Sequence, residues 1–90
     1  MWFVYIIRCA DNSLYTGIAK DVVKRFETHQ SGDQRSAKYL RSRHPFALVF
    51  TVQAGTRSEA SRIEYAIKQL PKSQKEKLIN GQISLSEFVE

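Results

Sequence analysis

The segment from Trp2 to Cys9 (WFVYIIRC) carries aromatic and β-branched side chains on both parities: Trp2, Val4 and Ile6 on one, Phe3, Tyr5 and Ile7 on the other. A surface strand alternates apolar with polar residues. A run without that alternation suits a strand covered on both faces, the central strand of a small sheet. At 90 residues and 42% apolar, the chain can fill one modest core, near the lower size limit for a domain without staples. Cys9 is the sole cysteine, which excludes an internal disulfide framework and gives no sign of an oxidising compartment. The opening apolar run, Trp2 to Ile7, is too short for a membrane span or a signal-peptide core. A soluble, cytoplasmic protein without membrane association is expected.

Ala10-Asp11-Asn12-Ser13 is turn chemistry, and Leu14 to Ala19 reads as a second strand, completing a hairpin. Asp21 can cap a helix from Val22 to Gln30, with Val22, Val23 and Phe26 on its inner face and Gly32 as its stop. Residues 33–44 are basic and irregular, with a short helix expected near Ala37 to Arg41. After Pro45, the apolar run Phe46 to Val52 makes a third strand, closed by Gly55. Thr56-Arg57-Ser58-Glu59 is a capping-box pattern that opens a helix to about Leu70. Pro71 interrupts it, and Lys72 to Ile79 makes a short basic helix. The expected class is α/β (α+β): a small three-stranded, mainly antiparallel sheet flanked by helices, in the order β-β-α-β-α with a short C-terminal helix. Residues 1–80 form one domain and 81–90 a tail.

Within that frame, Tyr5, Tyr15 and Arg25 recur at intervals of ten, with His29 a helical turn further on. The hairpin register decides whether the phenols meet. A two-residue turn at Asp11-Asn12 would set Tyr5 opposite Ile18 and turn the tyrosines to opposite faces. A three-residue loop, Ala10 to Asn12, pairs Tyr5 with Gly17 and Ile7 with Tyr15, and Gly17 then leaves space beside the Tyr5 ring. This odd register is expected. Arg25 and His29, at i and i+4, project from one face at the edge of their helix, with Val22 and Phe26 turned inward. On the later helix, Ala60, Ile63, Ala66, Ile67 and Leu70 form an apolar stripe. Glu64 lies about 40° beyond Ala60, on the stripe's rim. There a half-buried carboxylate needs a partner: a bound cation, an arginine, or Lys68 one turn on. Taken singly, each residue has a plainer reading: a packing tyrosine, a solvated helix-end histidine, a boundary ion pair. Two histidines and one cysteine without close ligand spacing do not suggest zinc.

Fourteen Lys and Arg against nine Asp and Glu give a net charge of +5. The excess is concentrated: residues 20–44 hold seven basic and three acidic groups, and residues 57–77 six and three. A basic middle suits a polyanion, most simply nucleic-acid phosphates; a solvated face is the competing explanation. Tyr39 stands among Arg35, Lys38, Arg41 and Arg43, where an aromatic can stack on an unpaired base or anchor the loop. Lys68, Lys72, Lys75 and Lys77 recur at helical spacing and could follow a run of phosphates. Candidate nucleic-acid contacts are Lys24, Lys38, Tyr39, Arg41, Arg43, Lys68 and Lys72.

Taken together, these residues resemble the GIY-YIG nuclease family. Phe3-Val4-Tyr5 stands at the first motif element and Tyr15-Thr16-Gly17 at the second. Lys24-Arg25-Phe26-Glu27-Thr28-His29 followed by Ser31-Gly32 is similar to the family's Arg-and-His helix, and Glu64 matches its metal-binding glutamate. The likeness runs from about Trp2 to about Ile79, and through Cys9 to Gly17 it points to the small stand-alone bacterial members, a group of uncharacterised function. Phe3 and Val4 depart from the motif's Gly and Ile, Gln30 replaces a frequent Asn, and the family's late Asn has no clear match. The resemblance implies a metal-dependent endonuclease that hydrolyses nucleic-acid phosphodiesters, DNA before RNA. Glu64 would hold Mg²⁺ or Mn²⁺, Arg25 would clamp phosphate oxygens, and Tyr5 or Tyr15 would accept the water proton with His29 in support. Gly17 serves as the structural motif residue. The alternatives are a non-catalytic nucleic-acid-binding module of the same fold, and an adaptor whose basic surface meets an acidic protein. A protein partner could supply targeting; oligomeric state is left open.

Overall fold

The computed structural model describes residues 1–31, 38–40 and 43–87, with Tyr39 described through its backbone alone. Strands β1 (Trp2–Arg8), β2 (Leu14–Ala19) and β3 (Ala47–Gly55) form one antiparallel sheet in the order β2-β1-β3. The helices are α1 (Val22–Ser31), α2 (Arg57–Lys68) and α3 (Lys72–Ile79), with 3₁₀ turns at Lys38–Leu40 and Leu85–Glu87. β1 is the middle strand, as its two apolar parities require. Its even side, Val4 and Ile6, packs with Ala54, Ala60, Ile67 and Leu78 from β3, α2 and α3. Its odd side, Tyr5 and Ile7, packs with Cys9, Ala19 and Leu40, and with Val22 and Phe26 from α1. Val4, Ile6 and Ile7 are fully buried, each removing enough apolar surface from water to stabilise the fold by about 1.5–3 kcal/mol.

The hairpin takes the odd register. Tyr5 pairs with Gly17, and Ile7 with Tyr15. The Cys9 N–H donates to Ser13 O at 2.9 Å and the Asn12 N–H to Cys9 O at 2.9 Å, closing the loop Ala10 to Asn12. That loop needs one residue with a left-handed backbone, and Asn12 supplies it at φ 68°, a conformation asparagine tolerates better than most residues. Asp11 adds an Asx turn by accepting from the Ser13 N–H at 3.0 Å.

The helix starts follow from their caps. The Lys24 N–H donates to Asp21 Oδ1 at 3.0 Å, which fixes the start of α1. Thr56 and Glu59 make the reciprocal capping box of α2. Two differences from expectation concern boundaries. β3 runs on through Gln53 to Gly55, because its ladder with β1 continues to the pairs Phe3–Gln53 and Trp2–Gly55. The short helix is a single 3₁₀ turn at Lys38–Leu40, while Ala37 and Arg41 lie outside the described residues. A contact that periodicity does not announce ties α3 to the hairpin. Arg8 donates to both carboxylate oxygens of Glu76 at 2.7 and 2.5 Å and to Asn12 Oδ1 at 2.8 Å. Lys72 Nζ donates to Asn12 O at 2.6 Å. No helix among the described residues is long and apolar enough to cross a membrane.

Candidate active site

The pairing of Tyr5 with Gly17 places a phenol where its neighbour has no side chain. A Cβ on Gly17 would lie 2.5 Å from the Tyr5 hydroxyl oxygen and 3.2 Å from the Tyr15 ring. Glycine is therefore required here for space, since its backbone is unstrained. Both tyrosines face α1, with ring centroids 6.4 Å apart. His29 completes the group at 6.1 Å from Tyr5 and 5.8 Å from Tyr15. Its Nε2 lies 2.9 Å from the Tyr5 hydroxyl in a buried hydrogen bond. The Arg25 guanidinium acts on the same Tyr5 hydroxyl, favouring its ionised form. Which group donates in the Tyr5–His29 bond depends on the imidazole tautomer: with the ring proton on Nδ1, Nε2 accepts from the phenol.

Two residues of α1 differ from expectation. Val23, expected on the inner face, is 67% exposed, because it lies about 100° around the helix from Val22. His29 differs in the opposite sense. It is fully buried rather than at the edge of α1. Seven residues after Val22 it falls within about 20° of the same line on the helix, and the inward stripe of Val22 and Phe26 carries it along. Arg25 is half-buried on the flank, as its position implies.

Burial and charge set the proton affinities. The Tyr5 phenol is pushed up to about 12, first by burial and then by Tyr15, while Arg25 opposes the rise and Glu64 adds to it. Tyr15 is raised by burial and by Glu64, against the pull of Arg25. His29 falls from 6.5 to about 4, by burial first and by the Arg25 charge second. At neutral pH the site is thus a neutral phenol on a neutral imidazole beside a fixed cation. Since Arg25 and Glu64 both act on the tyrosines, all five of the expected side chains share one electrostatic neighbourhood, Glu64 reaching it from α2.

The buried imidazole has a consequence for stability. An unfolded histidine takes its proton near pH 6.5, whereas the folded one holds out to about pH 4. The unfolded chain binds more protons over that window, so stability is full above pH 6.5 and is lost as pH falls through 4. The loss should reach about 3 kcal/mol. Thermal melts between pH 7 and pH 4 should show this slope in the wild type and a flatter one in His29→Gln.

Glu64 is half-buried, and Lys68 Nζ lies 3.4 Å from its Oε2. This is the ion pair that the rim position suggested. The candidate nucleic-acid contacts are spread more widely. Lys24 stands beside Arg25 along an open cleft, and Lys38 is exposed on the 3₁₀ turn. Lys72 is bound to the hairpin turn through Asn12, and Arg43 Nε lies 3.3 Å from Asp11 Oδ2. The pair at Arg43 and Lys72 therefore sits at the turn end of β2, away from Lys24. The Tyr39 side chain and Arg41 lie outside the described residues. Sequence reasoning missed Lys20 and Trp2, which border the same cleft as Arg25. The available signal was a lysine closing β2 opposite the residue that opens β1.

The family profile described as the GIY-YIG catalytic domain matches residues 1–77. A UPF0213 protein of Cronobacter sakazakii is 55% identical over 83 residues, spanning 92% of this chain and 85% of its own. The UPF0213 protein YhbQ of Salmonella typhimurium is 54% identical over 78 residues, spanning 87% and 76%. Among solved structures, the solution NMR structure of a UPF0213 protein from Bacillus halodurans is similar, with a TM-score of 0.56 and 44% identity over 89% of this chain and 84% of that one.

Proposed function

This chain belongs to the GIY-YIG family of catalytic domains, and from that footing we propose that it is a metal-dependent endonuclease hydrolysing nucleic-acid phosphodiesters, DNA ahead of RNA. The observation that carries the reading is the Tyr5 hydroxyl set 2.9 Å from a buried, neutral His29, with Arg25 acting on both. A phenol with a base behind it and a guanidinium beside it suits proton transfer at a phosphate.

A Mg²⁺ or Mn²⁺ ion fits the donor set. Such ions take oxygen ligands, use one or two carboxylates, keep several waters and complete their shell with substrate phosphate. Glu64 offers that carboxylate, and its partner Lys68 is an exposed, flexible amine that can turn away. Among the described residues no group of three or more His, Cys, Asp and Glu side chains gathers, so the remaining ligands would be water and phosphate. When bound, the ion would supply positive charge to the phosphate and the leaving oxygen.

The chain's own groups would do the rest. Arg25 would grip the non-bridging oxygens through its fork of donors. As water attacks phosphorus, the Tyr5 oxygen would take the water's proton while its own proton passes to His29 Nε2. No free phenolate is formed, which matters for a phenol held at about 12. Negative charge developing on the phosphate would favour the imidazolium and offset the depression of its pKa. Tyr15, the more exposed phenol, would border the approach of the strand. A second reading, a module of this fold that binds without cleaving, is favoured by the same proton affinities, which keep the resting site uncharged at both Tyr5 and His29.

The test is incubation of plasmid, single-stranded and branched DNA, and RNA, with Mg²⁺ or Mn²⁺ and with chelator. Cleavage should require the ion and fall about a hundred-fold in Arg25→Ala. Activity undiminished in both Arg25→Ala and Glu64→Ala would place the chemistry elsewhere. Salt-sensitive binding with no cleavage in any metal would leave the second reading.

A further inference from the structure

β2 is an edge strand. At its C-terminal end Trp2, Lys20, Lys24, Arg25 and Thr28 border a cleft of about 400 Å³. The Lys20 ammonium lies 5.6 Å from the centroid of the half-buried Trp2 ring, and the Arg57 guanidinium carbon 5.5 Å from it. Asp21 is the cleft's lone carboxylate, and its Oδ1 is occupied in capping α1. An aromatic face among cations, in a space large enough for one nucleotide unit, is the chemistry that receives a base and its phosphate.

We propose that this cleft is a nucleotide subsite, in which one unpaired base of a nucleic-acid strand stacks on Trp2 next to the phosphate held by Arg25. The stacked base takes the place of the Lys20 ammonium over the ring, and Lys20 turns with Lys24 to the backbone phosphates. Arg57 does not border the cleft and stays on the ring. Arg25 belongs both to the cleft and to the tyrosine pair, so the stacked base adjoins the phosphate to be cut. Bases in a duplex have both faces covered by their neighbours. The subsite therefore selects strands that are single, frayed or branched at that point. The link to cleavage rests on the function proposed above; the binding itself does not.

Trp2 is the only tryptophan, so its fluorescence reports on the cleft. The full chain is titrated in chelator with a single-stranded oligonucleotide and with the blunt duplex of the same sequence. The single strand should quench Trp2 emission and the duplex should not. Anisotropy of a labelled single strand should show affinity weakened about five-fold or more in Trp2→Leu, and changed less than about two-fold in Trp2→Phe. Thermal melts establish that both variants are folded. Single-strand binding that leaves emission unchanged and survives Trp2→Leu overturns the subsite and spares the nuclease reading. Equal quenching by the duplex overturns the requirement for an unpaired base. Quenching without cleavage in any metal upholds the subsite and removes the nuclease. Absence of both binding and cleavage removes both.

Discussion

Gly17→Ala should reduce cleavage to below about one thousandth of wild type at a temperature where the variant is still folded. The added carbon would sit 2.5 Å from the Tyr5 oxygen and 2.7 Å from Cζ of the same ring, inside any permissible contact. Tyr5 has little room to yield. It is 2% exposed, packed with Ile7, Cys9 and Leu40, and tied to His29. Either the ring leaves the imidazole or β2 shears away from β1, and both outcomes separate the groups that the reaction needs together. Overpacking of this kind costs about 1–3 kcal/mol, so the melting temperature falls as well. The decisive comparison is with Gly55→Ala, where the strain is a backbone one at φ 85°. That variant should lose stability while its folded fraction keeps full activity. A Gly17→Ala protein that cleaves at the wild-type rate would show that the Tyr5–His29 contact is not used.

Tyr5→Phe should lower the cleavage rate about a hundred- to ten-thousand-fold, the range for loss of a positioned proton carrier. The substitution preserves the ring's shape and removes one oxygen. His29 Nε2 then faces apolar surroundings without its phenol, at a stability cost of about 1–3 kcal/mol. The proton route is also cut, since water can no longer reach the imidazole through Tyr5. Tyr15→Phe leaves the 2.9 Å bond intact and should be much milder in stability. Measuring melting temperature and rate for both variants separates packing from chemistry. Equal rates in the two would argue against Tyr5 as the carrier.

Most of the frame was legible in local chemistry. The two apolar parities of β1 named the central strand, and three polar residues between the strands named the loop. From the loop length alone came the pairing of Tyr5 with Gly17. The capping box at Thr56 did the same for α2. What was missed depends on surroundings that no local pattern contains. Gln53 looks like the end of a strand, yet β3 is an edge whose polar residues face water while its ladder continues. Pairing His29 with Arg25 at i and i+4 puts it on the helix rim, although its spacing from Val22 puts it on the buried stripe. Glu64 shows the limit most plainly. Periodicity puts it on the rim of α2, but only the packing of α2 across the sheet decides that its charge is felt by Tyr5 and Tyr15. The same holds for Lys72, whose helical spacing suggests a phosphate track, and for Arg43, which stands in the basic stretch around Tyr39; both side chains bind the hairpin turn.

The strand order β2-β1-β3 also governs when the site can come into being. β1 supplies Tyr5, yet its second partner is a strand that ends at Gly55. Its ladder runs from the pair Arg8–Ala47 to the pair Trp2–Gly55, and such non-local pairings slow folding because loop entropy is lost before the contacts repay it. The β1–β2 hairpin can form early, but an isolated hairpin is marginal in water. A growing chain therefore holds its phenols in a hairpin whose β1 edge stays unpaired until residues 47–55 arrive. During synthesis, the segment that carries the chemistry is also the segment most exposed to a wrong partner strand.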